Sequence, residues 1–162
     1  MTKSLQIQIR VSPDEKAAIK RLALAAGLDV STYMLMRALP PARRRFAEIL
    51  RALENEAERR FALAELNDLL VSISDSALTD AVEDADVAGL SGFVQNYVAA
   101  MVELAASNAG VAPPPWTVAV EPLEEPYFAT PLESLRLHLL HESPVPFRRR
   151  NMFIDASLGA RV

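Results

Sequence analysis

Residues 5–11, close to the N-terminus, alternate strictly between apolar and polar side chains. This period of two is typical of a half-buried β-strand, because successive side chains of a strand point to opposite faces. The apolar face of the predicted strand consists of Leu5, Ile7, Ile9 and Val11, and its polar face of Gln6, Gln8 and Arg10. No neighbouring segment has a strand pattern, so this backbone needs a hydrogen-bonded partner from elsewhere. A second copy of the same strand would provide one, and the sequence therefore predicts a homodimer joined by a two-stranded antiparallel ribbon.

Two helices are predicted directly after this strand. Ser12, Pro13 and Glu15 have the pattern of a helix start, in which serine and glutamate cap each other and proline takes the first helical position. Gly27 suits the end of this helix, because glycine readily adopts the left-handed backbone conformation. A second start signal lies at Ser31, and the prolines at 40–41 end the second helix. Residues 1–40 are thus predicted to form one module.

The order of these elements resembles the ribbon-helix-helix family of DNA-binding proteins, the class of Arc, MetJ and CopG. The likeness covers residues 4–39. It rests on the alternating strand, the Ser-Pro-Asp-Glu helix start, the Gly-Leu turn and the second helix with Ser31, Thr32 and Tyr33. The resemblance implies a dimer that binds operator DNA with the residues of its strand.

The polar face of the ribbon has side chains suited to reading DNA. A two-stranded ribbon fits the major groove, where Gln6 and Gln8 can bind adenine and Arg10 can bind guanine. The start of the second helix, at Ser31 and Thr32, would direct backbone N–H groups at a phosphate. Further attraction to phosphates would come from Lys3, Lys16, Lys20 or Arg21. The alternative interpretation is that the polar face of the strand is only solvated.

Charge is distributed unevenly along the chain, whose net charge is −4. Residues 1–60 have a surplus of five positive charges, residues 61–135 contain twelve acidic residues and no Lys or Arg, and residues 136–162 have a surplus of three positive charges. A basic first third is what DNA binding requires. The chain has no cysteine, which excludes disulfides and thiolate metal sites. Because neither a membrane-spanning run nor a secretion signal is visible, we expect a cytoplasmic protein without membrane contact.

Residues 41–162 are predicted to form a second, helical domain. Apolar residues recur at helical spacing from residue 43 to residue 110, whereas the proline-rich segment 111–130 predicts irregular structure. Thr130 begins a further helix-start pattern, for a helix that reaches about His141. The fold class is therefore mostly α, a ribbon-helix-helix module followed by a helical domain with a proline-rich irregular segment. Arg43, Arg44 and Arg45 either extend the DNA footprint or form a solvated helix face.

Two pairs of residues on the last predicted helix are the only candidates for chemistry. His138 and His141 have a spacing that two ligands of one metal could use, but no third ligand is placed nearby, so no metal is expected. Arg136 and His141 have the spacing of a short motif in HEPN-type ribonucleases. Phosphate-binding loops and nucleophile elbows are absent from the sequence. We therefore expect a protein that is not an enzyme and needs no cofactor.

The C-terminal stretch from Trp116 onward is similar to uncharacterised proteins encoded beside nucleotidyltransferase-like toxins. The similarity lies in residues 135–141 and 144–155. It implies that residues 41–162 form a partner-binding domain that contacts a toxin, with Arg148, Arg149 and Arg150 as candidate contacts because arginine clusters suit phosphate or carboxylate groups. The alternative is a charged terminal loop.

Three functions therefore remain open. The first, which the sequence analysis favours, is a dimeric DNA-binding antitoxin or autorepressor. The second is a stand-alone transcriptional regulator or an accessory protein of plasmid mobilisation, and the third a HEPN-like ribonuclease.

Overall fold

Helices dominate the computed structural model, which describes residues 7–38 and 41–155, without the side chains of Asp75 and Ser76. Two compact units are present, Met1–Leu39 and Pro40–Val162. The prediction of a mostly α fold is confirmed. None of the helices in the described residues is long and apolar enough to cross a membrane.

The first unit contains two helices, α1 (Pro13–Ala25) and α2 (Val30–Ala38). The second contains α3 (Pro41–Glu54), α4 (Arg59–Ser72), α5 (Asp75–Val82), α6 (Gly92–Ala109), α7 (Pro115–Ala119), β1 (Tyr127–Phe128), α8 (Glu133–Glu142), α9 (Val145–Arg148) and β2 (Met152–Phe153).

Helix α6 lies at the centre of the second unit. Its 18 residues include one charged side chain, that of Glu103, so almost every face of the helix can be buried. Buried residues of α6 include Val94, Val98 and Val102. The helix ends at Gly110, which has a φ of 67° and forms a left-handed cap. The helical pattern that the sequence predicts for this segment is confirmed.

Helices α3 and α4 pack on each other and contribute their apolar stripes to the same core. Phe46, Ile49, Leu50 and Leu53 of α3 are all buried, as their helical spacing predicts. On α4, Leu66 and Leu70 are buried. Trp116, on the one-turn helix α7, donates an N–H bond to the carbonyl oxygen of Val82 at 2.7 Å. The proline-rich segment is thus anchored to the core by its indole.

The segment after α6 differs from the sequence prediction in three respects. Residues 115–119 form a helix inside the stretch predicted as irregular, and β1 and β2 pair in parallel although neither strand was predicted. Helix α8 begins at Glu133 rather than near Thr130, because the Thr130 hydroxyl accepts from the N–H of Leu132 at 3.2 Å in a turn that precedes the helix.

Candidate nucleic-acid interface

The segment in front of α1, residues 5–11, is called the arm, and it contains the residues predicted to read DNA. Gln6, like Leu5, lies outside the described residues, while Gln8 and Arg10 are exposed. Residues 7–12 are assigned neither to a helix nor to a strand in this single chain. A strand is defined by hydrogen bonds to a neighbouring strand, so the ribbon remains a prediction.

The first unit buries almost none of its apolar side chains. Of residues 7–38, Ala23 alone is buried. On the arm, Ile7 is 85% exposed and Ile9 is 54% exposed, and on α1 Leu24 is 82% exposed. A module of this size cannot stabilise a fold without a core. Several exposed large apolar side chains on so small a unit are typical of a surface that packs against another protein surface.

The junction between the arm and α1 is held by a reciprocal cap. The Glu15 N–H donates to the Ser12 hydroxyl at 3.3 Å, and the Ser12 N–H donates to the Glu15 carboxylate at 2.7 Å. Hydrogen bonding to its carboxylate, first from the Ser12 backbone N–H and then from the Ser12 side chain, lowers the pKa of Glu15. The predicted capping box is confirmed, and it satisfies two backbone N–H groups at the start of α1.

The turn between α1 and α2 is closed by backbone hydrogen bonds. Gly27 has a φ of 67°, and its N–H donates to the carbonyl oxygen of Leu24 at 3.0 Å. The N–H of Leu28 donates to the carbonyl oxygen of Ala23, also at 3.0 Å. This pair of bonds is the Schellman arrangement, which needs a left-handed residue at the glycine position. The predicted role of Gly27 is confirmed.

Helix α2 starts two residues earlier than a cap at Ser31 predicts, and Asp29 caps it. The Asp29 carboxylate accepts the N–H of Thr32 at 3.0 Å and the Thr32 hydroxyl at 2.5 Å. The N–H and the hydroxyl of Thr32, which the sequence analysis offered as phosphate-binding groups, therefore donate to a carboxylate of the protein itself. The sequence contained the signal for this cap, because aspartate is among the best N-cap residues. Ser31 is exposed beside it.

The basic residues of the two units differ in how they are paired. In the described part of the first unit, Arg10, Lys16, Lys20 and Arg21 form no ion pair, whereas each arginine of the 43–45 run does. Arg43 pairs with Asp84, Arg44 lies 3.9 Å from Glu48, and Arg45 lies 2.8 Å from Glu65. Neutralised arginines attract phosphates weakly. This pairing favours a solvated helix face for the arginine run over a DNA footprint.

Of the three arginines predicted to contact a protein partner, Arg150 is not available to one. It is 5% exposed and its guanidinium donates to Glu103 at 2.6 Å, to the carbonyl of Thr117 at 2.6 Å, and to Asn96 at 3.3 Å. These contacts make Arg150 a structural residue of the second unit, which corrects the sequence interpretation. Arg148 and Arg149 are exposed, and their contact with a partner remains a prediction.

Arg136 and His141 of α8, the pair with the spacing of a ribonuclease motif, contact different residues. The Arg136 guanidinium lies 5.2 Å from the centre of the Phe128 ring and 4.0 Å from Glu133. His141 contacts Glu142 at 2.8 Å, and this hydrogen bond lowers the pKa of Glu142. Within the described ranges, no group of three His, Asp or Glu residues is arranged to hold a metal ion. Arg136 and His141 thus have different neighbours.

The comparisons with known proteins bear on the N-terminal part of the chain. Residues 1–67, about two fifths of the sequence, match the family model of NikA-like proteins, described as mobilization protein NikA. This family is of the ribbon-helix-helix DNA-binding type, in agreement with the resemblance of residues 4–39. The match covers the first unit, α3 and part of α4.

None of the curated proteins and none of the solved structures matches the chain. The family match favours mobilisation over the antitoxin interpretation, which no comparison supports. Residues 68–162 lie outside the region that is similar to NikA-like proteins.

Proposed function

We propose that this protein is a DNA-binding accessory protein of plasmid mobilisation that acts as a homodimer. The observation that carries the proposal is the match of residues 1–67 to NikA-like mobilization proteins. Two features of the first unit support it. The capped start of α1 and the Gly27 turn have the local structure that a ribbon-helix-helix module requires, and the apolar residues of the arm are exposed where a second copy would cover them.

In the proposed complex, the arms of two copies pair and enter the major groove. Gln6, Gln8 and Arg10 of each copy face the base edges, where the amides bind adenine and the guanidinium binds guanine. Lys16, Lys20 and Arg21 supply positive charge to the backbone contacts. At the start of α2 we assign the phosphate contact to Ser31, with Thr32 held in place by Asp29.

Replacing Arg10 by alanine tests whether the arm recognises the DNA sequence. The expected cost is about 1–3 kcal/mol of DNA-binding free energy, with relaxed preference at one base pair in each half-site, because a bidentate contact to guanine is lost. The measurement is fluorescence anisotropy with duplexes selected by the wild-type protein from a random pool, at two salt concentrations. Arg149→Ala is the matched control, since this exposed arginine lies in the second unit. Equal binding by wild type and Arg10→Ala would show that the arm does not read DNA.

A transfer assay separates mobilisation from the other functions. A plasmid that carries the gene with its flanking DNA should lose transfer frequency when the gene is deleted. Supplying the wild-type gene in trans should restore transfer, and Arg10→Ala should not. Unchanged transfer after deletion, together with growth arrest caused by a neighbouring gene, would contradict mobilisation and support the antitoxin function.

A further inference from the structure

The second unit has an open groove of about 680 Å³ between the loop that follows α5, the start of α6 and the segment around α7. Its floor consists of apolar side chains that are buried or half-buried, among them Val87, Trp116, Val120 and Leu123. Three carboxylates also line the groove and are exposed at its edge, those of Asp86, Glu121 and Glu124. The described residues that line the groove include no Lys or Arg. An apolar floor is thus combined with a negatively charged edge.

Hydrogen bonds hold the walls of the groove in place. The Asn96 amide donates to the carbonyl oxygens of Gly92 and Glu121, both at 2.9 Å, and so ties the segment after α7 to the start of α6. The indole N–H of Trp116 is already used by the carbonyl oxygen of Val82. The half-buried ring therefore offers the groove its carbon surface and no donor. A groove that is formed in the free protein loses little conformational entropy when it binds a partner.

The carboxylates at the edge of the groove lack a cation from this chain. Asp86, Glu121 and Glu124 form no ion pair in the described part of the sequence. Arg150, which donates to a backbone carbonyl of the wall, is itself paired with Glu103 at 2.6 Å. The edge therefore has a negative potential beside an aromatic ring, and it is complementary to a positive charge.

We propose that this groove binds a short, arginine-containing segment of another protein. A guanidinium suits both parts of the site, because it stacks on an indole ring and forms paired hydrogen bonds with a carboxylate. Apolar side chains next to the arginine would cover Val87 and Leu123. Lysine fits less well, since its ammonium group is more strongly hydrated and cannot bind a carboxylate in a bidentate manner.

This inference does not depend on the proposed role in mobilisation. All the described lining residues lie between residues 85 and 124, outside the region that is similar to NikA-like proteins. The competing occupants are a small polyamine and a second copy of this chain, whose Arg148 and Arg149 are exposed. A polyamine supplies charge without apolar contacts, so it leaves the floor of the groove uncovered.

Trp116 is the only tryptophan of the chain, so the intrinsic fluorescence of the full-length protein reports directly on the groove. The protein is titrated with the blocked tetrapeptide Leu-Arg-Arg-Leu and with versions in which both arginines are citrulline, an uncharged isostere, or lysine. The arginine peptide should change the tryptophan emission in a saturable manner. It should bind about tenfold more tightly than the citrulline peptide, because charge-assisted hydrogen bonds are lost. The lysine peptide should bind more weakly than the arginine peptide.

Three results would overturn the proposal. The first is the absence of saturable binding by the arginine peptide. The second is equal binding by the citrulline peptide, the lysine peptide or putrescine, which carries the same two charges as the arginine peptide. The third is a shift of the emission when the protein alone is concentrated, if it is abolished by Arg148→Gln together with Arg149→Gln, since this would assign the groove to a second copy.

Substitution of single carboxylates locates the binding site. Glu121→Gln and Glu124→Gln should each weaken the arginine peptide about two- to fivefold, the range that exposed ion pairs provide, and the effect should shrink at high salt. Glu125→Gln is the matched control, because it removes the same charge from an exposed neighbour that does not line the groove. An equal loss of affinity in Glu125→Gln and Glu124→Gln would mean that net charge, not the groove, attracts the peptide, and would refute the assignment.

Discussion

At the start of α2, a single carboxylate decides which groups are available to DNA. Asp29 accepts both the N–H and the hydroxyl of Thr32, which satisfies a backbone donor that would otherwise point outward. The same carboxylate places a negative charge where the proposed complex would bring a phosphate. The helix start is thus stabilised in the free protein at some cost to anion binding.

Changing Asp29 to asparagine separates these two effects. Asparagine caps a helix about as well as aspartate, so the fold should be retained while the repulsion of the phosphate is removed. We expect DNA affinity to rise roughly two- to fivefold, since a charge near a helix end is worth about 0.3–1 kcal/mol. Anisotropy titrations at low and high salt measure this effect, which should shrink at high salt.

Asp14→Asn is the control for the Asp29 variant, because it removes the same charge from the first turn of α1. An equal gain in affinity for both variants would mean that net charge, not the position of Asp29, controls binding. In that case the start of α2 would not be a phosphate contact.

At the scale of elements, the second unit depends on an ion pair that connects segments distant in sequence. Arg150, just before β2, binds Glu103 of α6 and the carbonyls of Thr117 and Val120 around the end of α7. The side chain of Arg150 is 6% exposed and that of Glu103 is 14% exposed. A buried charge that loses its partner is costly, because it has given up its hydration and has no countercharge in return.

Removal of one member of this pair should therefore be costly. Arg150→Met should lower the free energy of unfolding by about 3–5 kcal/mol, because Glu103 is left buried without a countercharge. The double variant Arg150→Met with Glu103→Leu should recover part of this loss. Urea denaturation followed by circular dichroism is the measurement, with the exposed Arg149→Met as the matched control. A loss below about 1 kcal/mol for Arg150→Met would mean that water replaces the arginine.

The elements also show which features local signals can predict. The ends of α1 and α6 were predictable because Ser12, Gly27 and Gly110 act on neighbouring backbone groups. The pairing of β1 with β2 was not, since each strand has two residues and its partner is about 25 residues away. Asn151, with a φ of 56°, is part of this pairing, because its carbonyl accepts the N–H of Tyr127 at 2.8 Å. Asparagine tolerates this conformation better than most residues.

At the scale of the whole molecule, the unburied apolar surface of the first unit is where the proposed second copy would pack. The predicted inner face of the arm, at Ile7, Ile9 and Val11, is exposed in the single chain. Pairing of two arms would bury this face and would also satisfy the backbone groups of both. Dimer formation and DNA binding would then depend on different faces of the same segment, residues 5–11.

Substitutions on the two faces of the arm should therefore separate assembly from DNA binding. Ile9→Asp should convert the dimer into a monomer in sedimentation velocity and abolish DNA binding, because a carboxylate cannot be buried unpaired in the shared core. Gln8→Ala should leave the dimer intact and weaken DNA binding. A dimeric Ile9→Asp protein would show that the copies associate elsewhere.

The sequence by itself determined the local features of this protein. The alternation of residues 5–11, the caps at Ser12 and Gly27 and the stripes of α3 and α6 were readable because each depends on residues within a few positions of one another. The resemblance to ribbon-helix-helix DNA-binding proteins followed from the order of the predicted strand, helix, glycine turn and second helix. Tertiary structure alone showed that Arg150 is buried and that the 43–45 arginines are paired. Contacts between distant segments decide burial and pairing, and such contacts leave no periodic signal in the chain.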